Sequence, residues 1–431
     1  MTMSRKNLLL TYSLAVGVRY LFLHSDFQKD IVNRIEIQTP LNSFKRVVEG
    51  RYRMSLGIDP YESDSLHVPP LHLTFYTFLI DNFPNYLPYI FMLIDLLTGH
   101  CLYTFARRYM LKLYIKQEKN KHTYAEDALS QLLEGRDLYL PPQYALVVFL
   151  FNPYTIFNSA AMTTTTVNNL LLSLFFVGII YDNLVISLAA MTLSTLQSFY
   201  PVIMIAPLYL TVYKRKESHL QACLTLFIYA LSVIGIIYIS GIIYNGYQFL
   251  DQTYGFILKV PDQQPNVGVF WYFFMEMFEH FRLLFLFSYQ MNVTVLYFLP
   301  LTFKFREDPP LLAACFVTLI AIFKSYPSIG DFALSLALLP CWKHLYSCMQ
   351  QVFISSVTIV ITTALAPILW DLWIFWGTAN ANFFFGATLA FVTAHIFLVT
   401  DISFAYTKRE YLLKYGNCRQ INGKDAKLVL E

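Results

Sequence analysis

The sequence predicts an all-α polytopic membrane protein with about twelve transmembrane or partly inserted helices. Of its 431 residues, 56% are hydrophobic and only 14% are charged, whereas water-soluble proteins contain about 25% charged residues. The mean hydropathy is +0.47. A net charge of +3 gives no indication of nucleic acid binding. The six cysteines show neither zinc-site spacing nor the pattern of a disulfide framework.

Apolar runs provide the candidate helices. A helix needs about 20 apolar residues to cross a bilayer, and its backbone polar groups must pair within the segment. Several of the runs are shorter, so we expect tilted, broken or partly inserted helices among them. The runs lie near residues 8–23, 86–106, 143–162, 168–181, 184–200, 201–213, 220–245, 281–303, 311–323, 329–342, 346–370 and 383–407.

The first run follows Arg5 and Lys6, as the apolar part of a signal peptide would. No small-x-small cleavage site closes it, and Arg19 interrupts its end. We therefore predict a retained first helix that also targets the chain to the secretory membrane system.

Lysines and arginines near the helix ends predict the orientation. Twelve crossings place the basic cluster of residues 107–121 on the cytosolic side, together with both termini. The loop that contains Arg34, Lys45, Arg46, Arg51 and Arg53 lies on the luminal side, against this rule, although four nearby acidic residues soften the conflict.

This topology divides the chain into a membrane domain and a tail. Residues 1–407 form a single membrane domain, and residues 408–431 form a cytosolic tail. The domain includes a first luminal loop at 25–85, a cytosolic connector at 107–140 and a luminal interfacial segment at 246–281.

The stretch "NVGVFWYFFMEMFEHFRLLFLF" carries charges inside an aromatic run. From Phe270 to Phe303, a single helix would be about 51 Å long at 1.5 Å per residue, and the hydrocarbon core is only about 30 Å thick. We predict an amphipathic surface helix at 270–281 and a crossing at 283–303. Glu276, Glu279 and His280 would then share one helical face.

Three interpretations of this patch stay open. It is a solvated helix face with Glu279 paired to Arg282, a site for a polar lipid headgroup, or a metal site. Carboxylate-bridged metal sites in helical bundles use Glu-x-x-His on two helices, and this chain contains no such pattern. We therefore expect no metal.

Two further segments offer polar side chains at the predicted luminal face. In "TANANFFFG", Asn380 and Asn382 precede the last long apolar run; they either cap its helix or bind sugar hydroxyls, since an amide both donates and accepts. In "FKSYPSIGD", Lys324 either extends its ammonium group to the interface without a function or meets a phosphate.

Other candidates point away from catalysis. Asp59, Glu62, Asp64 and His67 of the first loop are either solvated residues or the remnants of a catalytic acid cluster. The sequence contains no P-loop, dinucleotide-binding or nucleophile-elbow motif. A sequon at Asn292 lies within a predicted crossing, where glycosylation is not expected. A transporter would place ionisable groups at mid-membrane, and the obvious candidates are Asp95 and Asp182.

Several long motifs resemble the PIG-U family, the multi-spanning membrane subunit of the glycosylphosphatidylinositol (GPI) transamidase. The resemblance runs in order from about residue 30 to residue 412. The motifs are "SFKRVVEG", "NPYTI", "YGFILKVPDQQPNVGVFWYFFMEMFEHF", "IFKSYPSIGD", "LWDLWI" and "ANANFF".

The resemblance implies a place in an endoplasmic reticulum enzyme complex. That complex removes a C-terminal hydrophobic signal from a protein and joins the new carboxyl end to the ethanolamine amine of a GPI lipid. In this family, cleavage belongs to a separate legumain-like cysteine protease subunit, and the PIG-U subunit helps to present the lipid or the signal peptide. The implied partners are the protease, the other membrane-anchored subunits and the GPI lipid.

A second resemblance, to the GT-C glycosyltransferases, provides the alternative function, a dolichol-phosphate-sugar-dependent transferase. Those enzymes carry an acid pair in the first luminal loop. Here the corresponding region reads "RIEIQ", in which only Glu36 is acidic. Without a second acid, sugar transfer loses its metal ligand or base. The sequence therefore resembles a transferase scaffold converted to lipid binding.

The chemistry of a GPI lipid suggests which side chains would contact it. Its phosphates would meet cations, its amines would meet carboxylates, its sugar hydroxyls would meet amides, and its acyl chains would meet aromatic rings. We expect no catalytic residue and no cofactor in this chain. The candidates are Arg282 and Lys324 for phosphate, Glu276 and Glu279 for amines, Asn380 and Asn382 for hydroxyls, and Phe383, with its neighbours Phe384 and Phe385 and with Trp370, Trp373 and Trp376, for acyl chains.

Overall fold

The computed structural model describes residues 5–416, 420–421 and 424–425, and helices make up nearly all of them. The first four residues and the rest of the predicted tail, including Cys418, lie outside the described residues. The α-helices are α1 (Arg5–Leu23), α2 (Phe27–Ile31), α3 (Phe44–Ser55), α4 (Pro70–Asn82), α5 (Leu87–Asn120), α6 (Leu140–Phe151), α7 (Pro153–Ala160), α8 (Thr164–Ile180), α9 (Leu184–Ser198), α10 (Ile205–Lys216), α11 (His219–Ile243), α12 (Gln248–Leu250), α13 (Phe256–Lys259), α14 (Phe270–Glu276), α15 (Glu279–Met291), α16 (Phe298–Lys304), α17 (Pro309–Phe323), α18 (Ile329–Leu338), α19 (Val352–Ile374) and α20 (Ala381–Tyr415).

Short irregular helices connect these elements. The 3₁₀ segments are Pro84–Tyr86, Lys121–Thr123, Glu126–Gln131, Gly135–Leu138, Tyr200–Met204 and Leu339–Cys348, and the π-helical turns are Asp251–Gly255 and Asn292–Leu296. The described β-structure is one antiparallel pair, in which Gln420–Ile421 faces Lys424–Asp425.

Each of the twelve predicted apolar runs contains at least one helix. By length and composition, four helical stretches of the described residues can cross a membrane: Pro84–Thr123 around α5, and helices α11, α19 and α20. Helices α6, α8, α9 and α17 are apolar but shorter. These observations confirm the predicted all-α membrane fold.

The core forms where α5, α6, α8, α17, α18 and α20 pack together. In α17, every residue from Leu311 to Ile322 is buried, because a helix that is apolar on all sides must be covered on all sides. In α11 and α19, by contrast, only 17% of the most apolar window is buried inside this chain. Their outer faces are therefore available to lipid or to partner helices.

A buried ion pair ties the first helix to this core. Arg19 of α1 and Asp95 of α5 are 1% and 3% exposed, and the Nε atom of Arg19 donates to Asp95 Oδ2 at 2.8 Å. A terminal nitrogen of Arg19 also donates to the carbonyl of Leu150 in α6 at 2.7 Å. Asp95 thus has a structural partner, as buried charges generally require.

The predicted surface helix at 270–281 is wrong. Helix α14 ends at Glu276, two extended residues follow, and α15 begins at Glu279. Glu276 therefore does not share a helical face with Glu279 and His280. The local sequence favours one helix, but the packing of Trp271 against Phe385 fixes α14 on α20, while Arg282 bonds to the Val260 carbonyl at 2.8 Å.

The predicted crossing at 283–303 is also interrupted. It begins earlier, with α15, and it is divided by the π-helical turn Asn292–Leu296 before α16. The sequon asparagine, Asn292, thus begins a π-helical turn within the predicted crossing and does not lie in regular α-helix.

Candidate functional site

The candidate site lies where α14, the end of α19 and the start of α20 meet. Trp271 of α14 is fully buried at this junction. Its ring stacks near Trp373 of α19 at 6.4 Å and meets Phe385 of α20 edge-on at 5.9 Å. Trp370 and Phe384 complete the cluster at 5.4 Å from each other. Aromatic pairs at such distances add packing energy beyond their buried area, so the junction has a rigid base.

Tyr272 connects this base to the predicted amide pair. Its ring stacks on Phe385 with centroids 4.3 Å apart, and its hydroxyl donates to the Oδ1 atom of Asn382. Asn382 is itself exposed. One face of its amide is therefore held by Tyr272, and its Nδ2 donors point away from that bond.

Asn380 caps α20, as one of the two sequence interpretations expected. Its Oδ1 atom accepts from the backbone nitrogens of Asn382 at 3.0 Å and Phe383 at 3.3 Å. This pairing satisfies donors that a helix N-terminus otherwise leaves open. The side chain remains exposed, and among the described residues its Nδ2 group has no acceptor.

Large aromatic side chains surround the two amides without being buried by this chain. Phe383 is 59% exposed and Trp376 is 75% exposed. Aromatic rings at a polar rim are typical of a membrane interface. Phe384 and Phe385 instead belong to the buried base.

The charged residues of the site are separated by the break between α14 and α15. Glu276 is exposed at the end of α14. Glu279 begins α15, and one of its oxygens lies 3.7 Å from the guanidinium of Arg282, which is the pair that the solvated-face interpretation predicts. Arg282 mainly holds the Val260 carbonyl, at a residue with a left-handed φ of 46° that is strained for a β-branched side chain.

The structure does not bring Lys324 to the exposed rim. Its Nζ atom lies 3.0 Å from Asp331 Oδ1, and both side chains are buried. The other oxygen of Asp331 accepts from the backbone nitrogen of Ser328 at 2.8 Å and closes a capping box at the start of α18. The Lys324 ammonium group is therefore used inside the fold.

Sequence reasoning missed the ion pair that joins the first loop to this site. Arg34 donates to both oxygens of Asp371, at 2.7 and 3.0 Å. Asp371 directly follows Trp370 of the aromatic base. The available signal was an acidic residue in the aromatic run "LWDLWIFW", but its partner lies 337 positions away.

Glu36, the single acid of "RIEIQ", faces a small cavity of about 170 Å³ beside α19 and α20. It is 5% exposed, and among the described residues neither carboxyl oxygen has a hydrogen-bond partner. Burial raises the pKa of Glu36, and the neighbouring Arg34 partly opposes this effect.

Two other polar residues of the first loop, Asp64 and His67, contact a different segment. Asp64 accepts from Gln252 at 2.9 Å, and the ring of His67 stacks on Phe256 at 3.5 Å while its Nδ1 atom meets the Gln252 carbonyl at 2.8 Å. These contacts hold the loop against residues 248–259.

Residues 13–391 match the family described as "GPI transamidase subunit PIG-U". This chain belongs to the PIG-U family. Curated relatives from mouse and human, each named "GPI-anchor transamidase component PIGU", are 37% identical over 438 aligned residues, which cover 98% of this chain and 99% of each relative. The "GPI transamidase component GAB1" of Saccharomyces cerevisiae is 25% identical over 397 residues, covering 90% of this chain and 91% of the yeast protein.

These matches confirm the PIG-U resemblance over nearly the whole chain. The names of the relatives describe components of a transamidase and do not favour the glycosyltransferase alternative. The matched residues include Tyr272, the Asn380–Asn382 pair and the exposed rings of Trp376 and Phe383.

Proposed function

We propose that this chain is a non-catalytic subunit of the GPI transamidase in the endoplasmic reticulum membrane, and that it binds and presents the GPI lipid. The observation that carries the proposal is the amide pair Asn380–Asn382, which is fixed on a buried aromatic base and exposed beside Phe383 and Trp376.

The amide pair suits the glycan part of the ligand. Asn380 is oriented by its cap and Asn382 by Tyr272, so each presents its Nδ2 donors without first having to be ordered. Binding through pre-oriented groups costs less conformational entropy. Sugar hydroxyls accept such hydrogen bonds and offer donors in return.

The aromatic rim suits the lipid part. Phe383 and Trp376 offer large apolar surfaces, and covering such surface with acyl chains contributes about 25 cal/mol for each Å² that is removed from water. A lipid with a polar glycan and apolar tails would therefore contact both halves of the rim at once.

Carboxylates at the break between α14 and α15 supply the complement to a cationic amine. Glu276 and Glu279 are both exposed, and Glu279 is already 3.7 Å from Arg282. Exposed ion pairs contribute less than about 1 kcal/mol, so these two residues orient an amine and do not anchor it. Lys324 has no part in the proposed contact, because Asp331 holds it.

The proposal includes an orientation and a set of partners. The end that contains the candidate site faces the lumen, the connector 107–140 and both termini face the cytosol, and the chain crosses the membrane several times. Peptide cleavage belongs to a legumain-like cysteine protease subunit, and further membrane-anchored subunits complete the complex.

The test is complementation in cells that lack this subunit, with the surface display of GPI-anchored proteins as the measurement. We expect the double variant Asn380→Asp/Asn382→Asp to lose display while the protease subunit still co-purifies, because aspartate keeps the helix cap but has no Nδ2 donors. Asn85→Asp, at an exposed asparagine in the 3₁₀ segment Pro84–Tyr86, is the control for a new surface carboxylate elsewhere on the chain. Normal display by the double variant would argue against the proposal.

A second measurement separates this proposal from the transferase alternative. The purified chain, alone and in complex, is incubated with dolichol-phosphate-mannose and a GPI precursor. Consumption of the donor by the chain alone would support a glycosyltransferase, and retention of GPI by the complex without donor consumption would support lipid presentation.

A further inference from the structure

A large cavity lies at the other end of the molecule from the candidate site. Helix α20 starts at the site and runs about 52 Å at 1.5 Å per residue, and the cavity is lined by its far end, including Arg409 and Lys414. The cavity has a volume of about 760 Å³, within the range of small-ligand sites. The ends of α5 and α10 and the Leu339–Cys348 segment form the other walls.

Cations outnumber acids around this cavity. The cationic side chains are Lys112, Lys116, Lys214, Arg215, Arg409 and Lys414, and the acidic side chains are Asp182, Glu307, Asp308 and Glu410. Part of this charge is neutralised within the protein, since Lys112 lies 3.2 Å from Asp182 and Lys214 lies 2.8 Å from Glu307.

One of the acids that line the cavity, Asp308, is hydrogen-bonded within the fold. Asp308 is buried, accepts from the Tyr109 hydroxyl at 2.5 Å and caps α17 through the Leu311 nitrogen at 3.2 Å. Trp342 in turn donates to Tyr109 at 3.0 Å. Both carboxyl oxygens of Asp308 thus have hydrogen-bond partners within the fold.

Several donors remain without acceptors. Within the described part of the chain, Lys116 forms no ion pair within 4.0 Å, and Lys414 lies only over the Tyr415 ring at 5.1 Å. The Nε atom of Arg409 is buried without a partner, and so is the Nδ1 atom of His344, which donates in one of the two tautomers of the ring. Buried donors without acceptors are costly, and all four groups line the same cavity.

We propose that this cavity binds a phosphate group, carried either by an anionic phospholipid or by a soluble phosphate ester. A phosphate brings up to two negative charges and several acceptor oxygens, which match Lys116, Lys414, His344 and Arg409. The inference is independent of the proposed role in GPI binding, because it concerns the opposite end of the fold.

The position of the cavity suits a headgroup at the membrane surface. Helix α5 is about 51 Å long at 1.5 Å per residue, whereas the hydrocarbon core measures about 30 Å. Its last turns, with Lys112 and Lys116, therefore extend beyond the apolar layer. Cations that only set the orientation of a helix in the membrane do not have to line a cavity. Here Lys112 and Lys116 do line one.

The test uses the purified complex and a charge-matched pair of variants. Lys116→Gln/Lys414→Gln removes two cations that line the cavity, one from α5 and one from α20. Lys119→Gln/Lys408→Gln removes two cations from the same helices that do not line it. Both pairs change the net charge equally, so a general attraction to anionic membranes affects them alike.

The probes distinguish the two sources of phosphate. Delipidated complex is incubated with phosphatidylcholine vesicles that contain or lack phosphatidylinositol, and bound lipid is counted by native mass spectrometry. Inorganic phosphate is titrated separately by calorimetry. We expect at least tenfold weaker binding by the cavity variant and unchanged binding by the control, for phosphatidylinositol if the source is lipid and for inorganic phosphate if it is soluble.

Equal binding by the two variants, or binding of neither probe by the unmodified complex, would overturn the proposal. If the double variant does not assemble, the single variant Lys116→Gln serves instead, because its side chain is exposed and forms no ion pair within the described residues. Its expected effect is a threefold or greater loss of affinity, and no loss would again overturn the proposal.

Discussion

Arg34 in the first loop and Asp371 near the end of α19 form a two-point ion pair, with N–O distances of 2.7 and 3.0 Å. Asp371 follows Trp370 of the aromatic base, and Arg34 is two residues from the buried Glu36. The pair therefore fixes the first loop against the helix that supports the candidate site.

We expect Asp371→Asn to weaken this connection without unfolding the chain. Both side chains are about one-third exposed, so the loss should be on the order of 1 kcal/mol. The melting temperature of the purified complex and the surface display of GPI-anchored proteins should both fall modestly. Arg53→Gln removes a pair with Glu49 at 3.4 Å within α3 and is the control. An effect as small as that of the control would contradict the role given to the Arg34–Asp371 pair.

Tyr272 should act on the site mainly through its hydroxyl. Tyr272→Phe keeps the stack on Phe385 and loses the hydrogen bond to Asn382. The loss of that bond removes about 1 kcal/mol that favours the ligand-ready orientation of the Asn382 amide. We expect about fivefold weaker retention of GPI by the purified complex, with normal assembly. Tyr297→Phe, at a ring that stacks on Phe323, is the matched control. A loss of assembly equal to the loss of GPI would indicate a structural role only.

The Arg19–Asp95 pair predicts unequal effects of single and double substitutions. Arg19→Met leaves Asp95 buried without a partner, and such a loss costs about 3–5 kcal/mol. The double variant Arg19→Met/Asp95→Leu removes both charges and should recover much of the yield and melting temperature. A double variant less stable than either single variant would contradict this prediction, because the stability would then depend on more than the pairing of two buried charges.

His67 predicts a loss of stability in acid. Burial lowers the pKa of His67 from 6.5 to about 4, against the hydrogen bond to the Gln252 carbonyl. Below pH 6.5, His67 is protonated in the unfolded chain but stays neutral in the folded chain. The free energy of unfolding therefore falls as the pH decreases from 6.5 towards 4. The full loss in the free energy of unfolding is roughly 3 kcal/mol, at 1.36 kcal/mol for each unit of pKa difference between the two states.

The measurement is the melting temperature of the purified complex at pH 7, 6 and 5, for the unmodified chain and for His67→Gln. Glutamine can donate to the same carbonyl but takes up no proton, so the difference between the two proteins should narrow or reverse in acid. The exposed His122 provides the control His122→Gln. Parallel curves for His67→Gln and the unmodified chain would contradict the prediction.

The sequence predicted the helical fold well because apolar runs are a local property. All twelve runs contain helices, and the motifs identified the family. The break after Glu276 could not be predicted, because the chain around it favours one helix and only contacts with distant residues divide it. The aromatic base depends on α14, α19 and α20 coming together from separate parts of the chain.

The sequence indicated which residues belong to the candidate site, but it did not indicate which of them contact one another. Asn380 and Asn382 are exposed at the rim as expected, and whether they contact lipid stays a prediction. Lys324 and Asp331 lie close in sequence, yet nothing local indicates that both are buried. Arg19 and Asp95 each stood out as charges in apolar helices, but no feature of the sequence matches one to the other.

Few residue types can replace Asn380 at this rim. The side-chain oxygen of Asn380 caps the start of α20, while the nitrogen of the same amide has no acceptor among the described residues. Aspartate would preserve the helix end and offer no hydrogen, and glutamine would preserve the amide on an arm of the wrong length for the helix end. Only a short amide both caps the helix and offers a donor, so the fold and the proposed ligand together require asparagine at this position.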